Sequence, residues 1–146
     1  MGYPLPLYWI FMQFKYPRDY TLSLCMHPLA VMILGYASFT AQQMDLPFVV
    51  TSTVSDIRED ERLGRTSASH REGRAFDISI YGWTTDDIDN FKFEMERKFG
   101  DLGAWTHRGE QRLVVVHNGT APHIHVQISR EFRDEVVFPY LSSSTR

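Results

Sequence analysis

Two stretches of the chain, residues 75–81 and 122–128, alternate between apolar and polar side chains. Because successive side chains of a strand point to opposite faces of a sheet, this pattern predicts two strands with one buried face each. The predicted buried face carries the larger apolar side chains: Phe76, Ile78, Ile80, Ile124, Val126 and Ile128. Asp77, His123 and His125 fall on the opposite face, where pairing of the two strands would bring them together.

Two longer stretches show the features of helices. Residues 28–44 are mostly apolar and begin at Pro28, a residue well suited to the first turn of a helix. A second helix is predicted to begin after Thr84 or Thr85, with acidic residues in its first turn, and to end near Gly100. Its apolar stripe recurs at helical spacing: Ile88, Phe91, Met95 and Phe99.

The segments around these elements read as further strands and one long loop. Residues 48–54 and 113–116 are rich in β-branched side chains and are predicted strands. Asn118-Gly119, after the second of these, is a hairpin-turn signal. The polar, charged residues 55–69 predict a loop with one helical turn around residues 59–63.

This order of elements predicts an α+β fold, with a small antiparallel sheet and helices packed on one face. Residues 1–146 are expected to form a single domain, within which residues 1–26 are an N-terminal extension whose packing the sequence does not indicate.

Composition narrows the class of protein. The 146 residues are 43% hydrophobic and 23% charged, which suits one globular core. A net charge of −3 gives the chain no excess of positive charge with which to bind phosphate groups, so no nucleic-acid partner is expected. The single cysteine, Cys25, excludes a disulfide within the chain and is expected to be a small buried hydrophobe.

The apolar N-terminal residues lack the features of a secretory signal peptide. No basic region precedes them, and Pro4 and Pro6 interrupt them. No transmembrane segment and no membrane insertion are predicted. The chain is therefore expected to be made in the cytoplasm.

The polar face of the two strands predicts a metal site. Imidazole nitrogens and a carboxylate oxygen suit Zn²⁺, and we interpret His70, Asp77 and His125 as its three ligands. Gly73 allows a tight turn between His70 and the strand. Three protein ligands leave a fourth position for water, as in catalytic zinc sites. Two histidines and one carboxylate would also fit the ligand count of a non-haem iron centre.

The same residues carry a family resemblance. The run SHREGRAFD at residues 69–77, followed by His123-Ile124-His125, resembles the superfamily of D-Ala-D-Ala carboxypeptidases, lysostaphin-type peptidases and hedgehog domains. The chain looks most like the small peptidases found as phage endolysins and bacterial cell-wall enzymes, over residues 27–130. This resemblance implies a zinc peptidase acting on peptidoglycan peptides, with phage-type release giving access to the cell wall.

Hydrolysis of an amide bond by a zinc peptidase also needs a side chain that takes a proton from the attacking water and passes it to the leaving amine. At the positions where relatives carry such a side chain, this sequence departs from the family pattern. Relatives often carry a carboxylate three or six residues before the last ligand, where this chain has Pro122 and Gly119. His123, on the same strand face as His125, is the first candidate, as in the lysostaphin-like branch. A hydrogen-bonding role beside the metal remains the alternative for His123, and His117 is a second candidate base or a polar turn residue.

Substrate-binding residues also depart from the pattern. Relatives often place an arginine three residues after a Thr-Ser pair, where this chain has Ser55. Arg58 lies close by and could hold a substrate carboxylate instead, although it could equally be a solvated loop charge. The family serine two residues before the first ligand is replaced by Ala68, and the neighbouring Ser69 is the candidate in its place.

Two functions remain open from the sequence. The first is a zinc-dependent peptidase that cleaves an amide bond in peptidoglycan stem or cross-link peptides. The alternative is a non-catalytic zinc-containing binding module on the same fold, which the missing carboxylates at Pro122 and Gly119 would favour.

Overall fold

The computed structural model describes residues 12–119 and 121–132. These residues form seven strands: β1 (Met12–Phe14), β2 (Phe48–Ser52), β3 (Ala75–Ser79), β4 (Ala104–Trp105), β5 (Gln111–Arg112), β6 (Val114–His117) and β7 (His123–Gln127). They also form four α-helices: α1 (Pro17–Ser23), α2 (Pro28–Gln43), α3 (Ile57–Leu63) and α4 (Thr85–Phe99). Short 3-10 turns follow at Gly100–Leu102 and Arg130–Phe132. The predicted α+β class is confirmed.

The main sheet has five strands in the order β1-β2-β3-β7-β6, and β4 pairs with β5 in a separate two-stranded sheet. From β2 through β3 and β7 to β6, each strand pairs antiparallel with the next. At the edge, β1 runs parallel to β2. The prediction of an antiparallel sheet was therefore wrong for one edge, because β1 comes from the segment whose packing the sequence did not indicate.

The predicted alternation along β3 and β7 is present in the fold. Phe76 and Ile78 lie opposite Val126 and Ile124, and all four side chains are buried. Asp77 lies directly opposite His125 on the other face. Cross-strand partners share a face of the sheet, so this register sets the aspartate and the histidine side by side.

A β-bulge in β2 changes which face its last residues present. Val50 lies opposite Ile78, whereas Ser52 lies opposite Asp77, so one extra residue of β2 is inserted between the two pairs. Without the bulge, Val50 and Ser52 would share the apolar face. The bulge moves Ser52 to the face that carries Asp77.

The core lies between the apolar face of the sheet and the helices α2 and α4. Buried residues of α2, α4 and the strands form one contiguous cluster. In α4, Phe91 and Met95 are fully buried while Ile88 and Phe99 pack at the margin, which confirms the predicted stripe. Thr84 and Asp87 form a reciprocal capping box at its first turn.

Residues 12–26 belong to this fold through β1 and α1, whereas residues 1–11 lie outside the described part of the chain. Cys25, expected to be buried, is exposed, because it follows the end of α1 in a surface turn.

The predicted helical turn at residues 59–63 is the longer helix α3, capped by the Asp56 side chain and ended by Gly64 with φ 65°. Among the described residues, no helix has the length and apolar character needed to cross a bilayer.

Candidate metal centre

Three side chains converge on the polar face of the sheet. Asp77 Oδ1 lies 2.7 Å from His125 Nδ1 and 3.1 Å from His70 Nε2, and the two nitrogens are 3.2 Å apart. His70 and Asp77 are buried, and His125 is nearly so. The structure thus brings together the three residues predicted as ligands, in a cluster that could hold a metal ion.

His70 reaches the sheet from a tight turn. The turn closes through the Gly73 amide, which donates to the His70 carbonyl at 3.0 Å. Gly73 has φ 66°, and a Cβ there would lie 3.3 Å from the Cys25 carbonyl oxygen and the Met26 Cα. Glycine is required here both by the left-handed backbone and by this close approach.

The orientation of the His70 ring is set by a main-chain carbonyl. His70 Nδ1–H donates to the Thr53 carbonyl at 2.6 Å, which leaves the lone pair of Nε2 directed at Asp77 and His125. A ligand histidine that donates its second nitrogen to a carbonyl is the usual arrangement around protein-bound metals.

His125 has a matching partner on its far side. Its Nε2 lies 3.2 Å from Gln127 Oε1 and 3.4 Å from Ser69 Oγ. When Nε2–H donates to these oxygens, the lone pair of Nδ1 faces Asp77 Oδ1. Ser69, a predicted substrate-binding residue, is buried against the candidate ligand His125, although it also lines a cavity.

Three acceptors at these distances would repel one another without a positive charge between them. Burial alone would raise the pKa of Asp77. When a second proton on each ring makes His125 Nδ1 and His70 Nε2 donors, their hydrogen bonds outweigh burial and hold this pKa well below its usual range. The carboxylate is therefore ionised, and the cluster demands either protons or a metal cation among its three acceptor atoms.

The guanidinium nearest the cluster belongs to Arg65. Its Nη2 donates to Asp77 Oδ2 and to Ser52 Oγ, each at 2.9 Å. Its Nη1 lies 3.6 Å from the buried carboxylate of Asp60. Arg58, the arginine predicted for substrate binding, is exposed on α3 and lines neither cavity beside the cluster.

A second buried carboxylate supports the cluster from α1. Asp19 Oδ1 accepts hydrogen bonds from the Thr53 amide at 2.9 Å and from the Thr53 hydroxyl at 2.8 Å. Thr53 in turn accepts from His70 through its carbonyl. Asp19, in the N-terminal segment, is therefore linked to the candidate ligand His70 through two hydrogen bonds.

His123 stands beside the cluster with one nitrogen free. Its Nδ1–H donates to the Ala121 carbonyl at 2.8 Å, and its Nε2 lies 3.9 Å from Asp77 Oδ2. His117 stacks on it, with ring centroids 4.8 Å apart and an interplanar angle of 23°. Burial lowers the pKa of His117, and the neighbouring His123 and His125 lower it further.

Two cavities meet at the cluster. One, of 690 Å³, extends from Asp77 and His123 toward β1, α1 and α3. The other, of 580 Å³, extends from the same two residues along the loop after α3 and the β6–β7 connection. A ligand spanning both cavities would pass directly over the cluster.

Sequence reasoning named the three side chains that converge in this cluster but missed the residues that support them. Arg65, Asp60 and Asp19 lie in helices or loops without a periodic signal that relates them to the strands. Gln127 had such a signal, because it shares the polar face of β7 with both histidines.

Comparison with known proteins adds no relative: no protein-family model, no curated protein and no solved structure matches the chain.

Proposed function

We propose that this protein is a zinc-dependent peptidase that hydrolyses an amide bond in peptidoglycan stem or cross-link peptides. The observation that carries the proposal is the convergence of three acceptor atoms, from His70, Asp77 and His125, at the junction of two open cavities. The fold is proposed to be of the hedgehog and D-Ala-D-Ala-peptidase type, as the SHREGRAFD and His-Ile-His motifs suggest.

The donor set fits zinc. Ligand atoms about 2.0–2.2 Å from a tetrahedral ion lie roughly 3.3–3.6 Å from one another. The three separations of 2.7–3.2 Å are shorter than this, so a bound ion would move the three atoms slightly apart. Two imidazoles and a carboxylate also leave one position open, as in catalytic zinc sites. The hydrogen bonds from His70 to Thr53 and from His125 to Gln127 keep the ligand nitrogens deprotonated.

The reaction needs both polarisation and proton transfer. When bound, zinc would lower the pKa of water and polarise the substrate carbonyl. His123 would take the proton of the attacking water at Nε2, since Nδ1–H is already engaged by the Ala121 carbonyl. The same Nε2–H would then deliver the proton to the leaving amine. The stacked ring of His117 would keep His123 in this orientation.

The surrounding side chains have distinct roles in this proposal. Arg65 would orient the Asp77 carboxylate and place positive charge beside the substrate carbonyl, the function first assigned to Arg58. Ser69 would act on His125 and not on the substrate. Release by lysis, as with phage endolysins, is the proposed route to the cell wall.

One observation favours a second function, a zinc-containing binding module without activity. Among the described residues lining the two cavities, the only carboxylates are Asp77 and Glu59. Asp77 is a ligand, and Glu59 is paired with Arg18. A carboxylate base is therefore missing there, and turnover depends on His123 alone.

The deciding experiment is mass spectrometry of purified peptidoglycan fragments after incubation with the zinc-loaded protein. His70→Ala and His123→Ala are tested in parallel, with metal content measured for each. A peptidase yields new fragments from the parent and none from His70→Ala, and the fragment masses identify the bond. His123→Ala should keep its zinc and lose most of its turnover.

Two outcomes would overturn the proposal. Zinc bound at one per chain with no fragments from any variant would establish the binding module. Fragments from the metal-free His70→Ala protein would exclude a metal mechanism.

A further inference from the structure

We propose that the 690 Å³ cavity binds an acidic side chain of the peptide substrate on one side of the scissile amide. We call it the cationic cavity. The inference rests on the proposed function and extends it, because it specifies the charge of the substrate on one side of the metal centre.

The cationic cavity is continuous with the metal centre. Asp77, His123 and Arg65 are among its lining residues. Lys15 and Arg62 also line it, and among the described residues neither has a hydrogen bond or ion pair to the metal cluster. These two side chains can therefore hold a group without competing for the proposed ligands.

The lining of this cavity is strongly biased in charge. It includes four cationic side chains, Lys15, Arg18, Arg62 and Arg65, against the two carboxylates of Glu59 and Asp77. The whole chain carries a net charge of −3, so this local excess of positive charge runs against the overall balance. Clustered charge of one sign in a cleft attracts ligands of the opposite sign.

Two of these cations keep donors available. Arg18 pairs closely with Glu59, whereas Arg62 Nη2 stays 3.8 Å from the same carboxylate and its side chain is 69% exposed. Lys15 forms no ion pair within the described part of the chain, and its ammonium lies 5.3 Å from the centroid of the Tyr16 ring. Lys15 and Arg62 can therefore both donate to an incoming carboxylate.

The second cavity has no such bias. Its charged lining consists of Arg65 and Asp77, which pair with each other, and the remainder is formed by histidines and by neutral residues such as Thr66, Ser67 and Asn118. The metal centre thus separates a cationic side from a neutral polar side. A substrate with its acidic residue on one side of the scissile bond matches this arrangement.

The test uses two stem-peptide fragments that differ only in one residue, glutamate in the first and the corresponding amide, glutamine, in the second. Cleavage of both is followed by mass spectrometry in the zinc-loaded parent, Lys15→Ala, Arg62→Ala and the double variant. Arg62→Lys retains the positive charge and tests whether charge alone preserves cleavage of the glutamate peptide. Arg108→Ala, an exposed arginine that lines neither cavity, is the matched control.

The expected result is a fall in kcat/KM for the glutamate peptide of about 10-fold in each single variant and about 100-fold in the double variant, mainly through KM. The glutamine peptide should be cleaved at a rate that none of these substitutions changes. Affinity for the glutamate peptide, measured by calorimetry on the metal-free protein, should show the same dependence on Lys15 and Arg62.

The two proposals fail in different ways. Equal cleavage of both peptides, unchanged in every variant, would overturn the cationic cavity and leave the peptidase intact. Absence of cleavage, with selective binding of the glutamate peptide through Lys15 and Arg62, would support the cavity and overturn the peptidase. Neither cleavage nor selective binding would overturn both.

Discussion

The two faces of strands β3 and β7 carry opposite chemistry on one backbone. On one face Phe76, Ile78, Ile124 and Val126 are buried in a continuous apolar core against α2 and α4. On the other, Asp77 and His125 place acceptor atoms 2.7 Å apart. The apolar face stabilises the fold through burial, whereas the polar face holds acceptors whose mutual repulsion a cation would relieve.

The difference between the faces teaches that stability and proposed function are separable in this molecule. Substitutions on the apolar face should reduce the free energy of unfolding, and substitutions on the polar face should reduce metal affinity. Neighbouring positions of one strand point to opposite faces, so substitutions at them offer matched tests of stability and of metal affinity.

The largest effect is expected on the polar face. His125→Ala removes one of three ligands and should abolish tight zinc binding, measured by calorimetry, together with any cleavage. Zinc should then raise the unfolding temperature of the parent only, because a ligand that binds the folded state alone stabilises it by RT ln(1 + [L]/Kd), which vanishes when affinity is lost. His107→Ala, an exposed histidine in the β4–β5 turn, is the control. Retention of zinc by His125→Ala would disprove the ligand assignment.

The apolar face should respond in stability. Phe76→Ala leaves a cavity at a fully buried position and should lower the free energy of unfolding by about 3–5 kcal/mol, measured by chemical denaturation. Phe93→Ala removes the same side chain where it is 65% exposed and should cost less than about 1 kcal/mol. Similar losses in both variants would contradict the packing of the core.

A smaller effect distinguishes the two arginines. Arg65→Ala removes both hydrogen bonds of the guanidinium to Asp77 and Ser52 and should weaken zinc binding by roughly 10- to 100-fold. Arg58→Ala should leave zinc affinity and peptide cleavage unchanged. If Arg58→Ala impaired cleavage and Arg65→Ala did not, the original assignment of Arg58 would stand.

The smallest effect lies away from both faces. Thr84→Ala breaks the capping box of α4 and should lower the free energy of unfolding by about 1 kcal/mol without changing zinc affinity. Thr84→Ser keeps the hydroxyl acceptor and should restore most of the loss. Thermal unfolding of the three proteins with and without zinc separates the helix cap from the metal centre.

Much of the fold followed from local pattern. The alternation at residues 75–81 and 122–128 predicted strands β3 and β7, and the capping residue Thr84 with its apolar stripe predicted α4. The same alternation placed Asp77 and His125 on one face, because side-chain direction in a strand has a period of two that the sequence displays directly. Two of the three candidate ligands were therefore placed on one face by the strand pattern alone.

Other features depended on contacts between distant segments. The parallel edge strand β1 and the bulge that turns Ser52 toward Asp77 are matters of pairing between strands, and no periodicity within either strand encodes them. Asp19 supports His70 across 51 positions of the sequence, through Thr53.

The sequence by itself determined that Asp77 and His125 share a face of the sheet, and with them two of the three acceptors of the candidate metal centre. Tertiary structure alone decided which arginine reaches that centre. Arg58 and Arg65 are chemically identical, but Arg58 points to solvent from α3, whereas the chain after Gly64 turns Arg65 toward Asp77. A long flexible side chain on a loop follows the path of the backbone, and that path is set by packing between elements far apart in the chain.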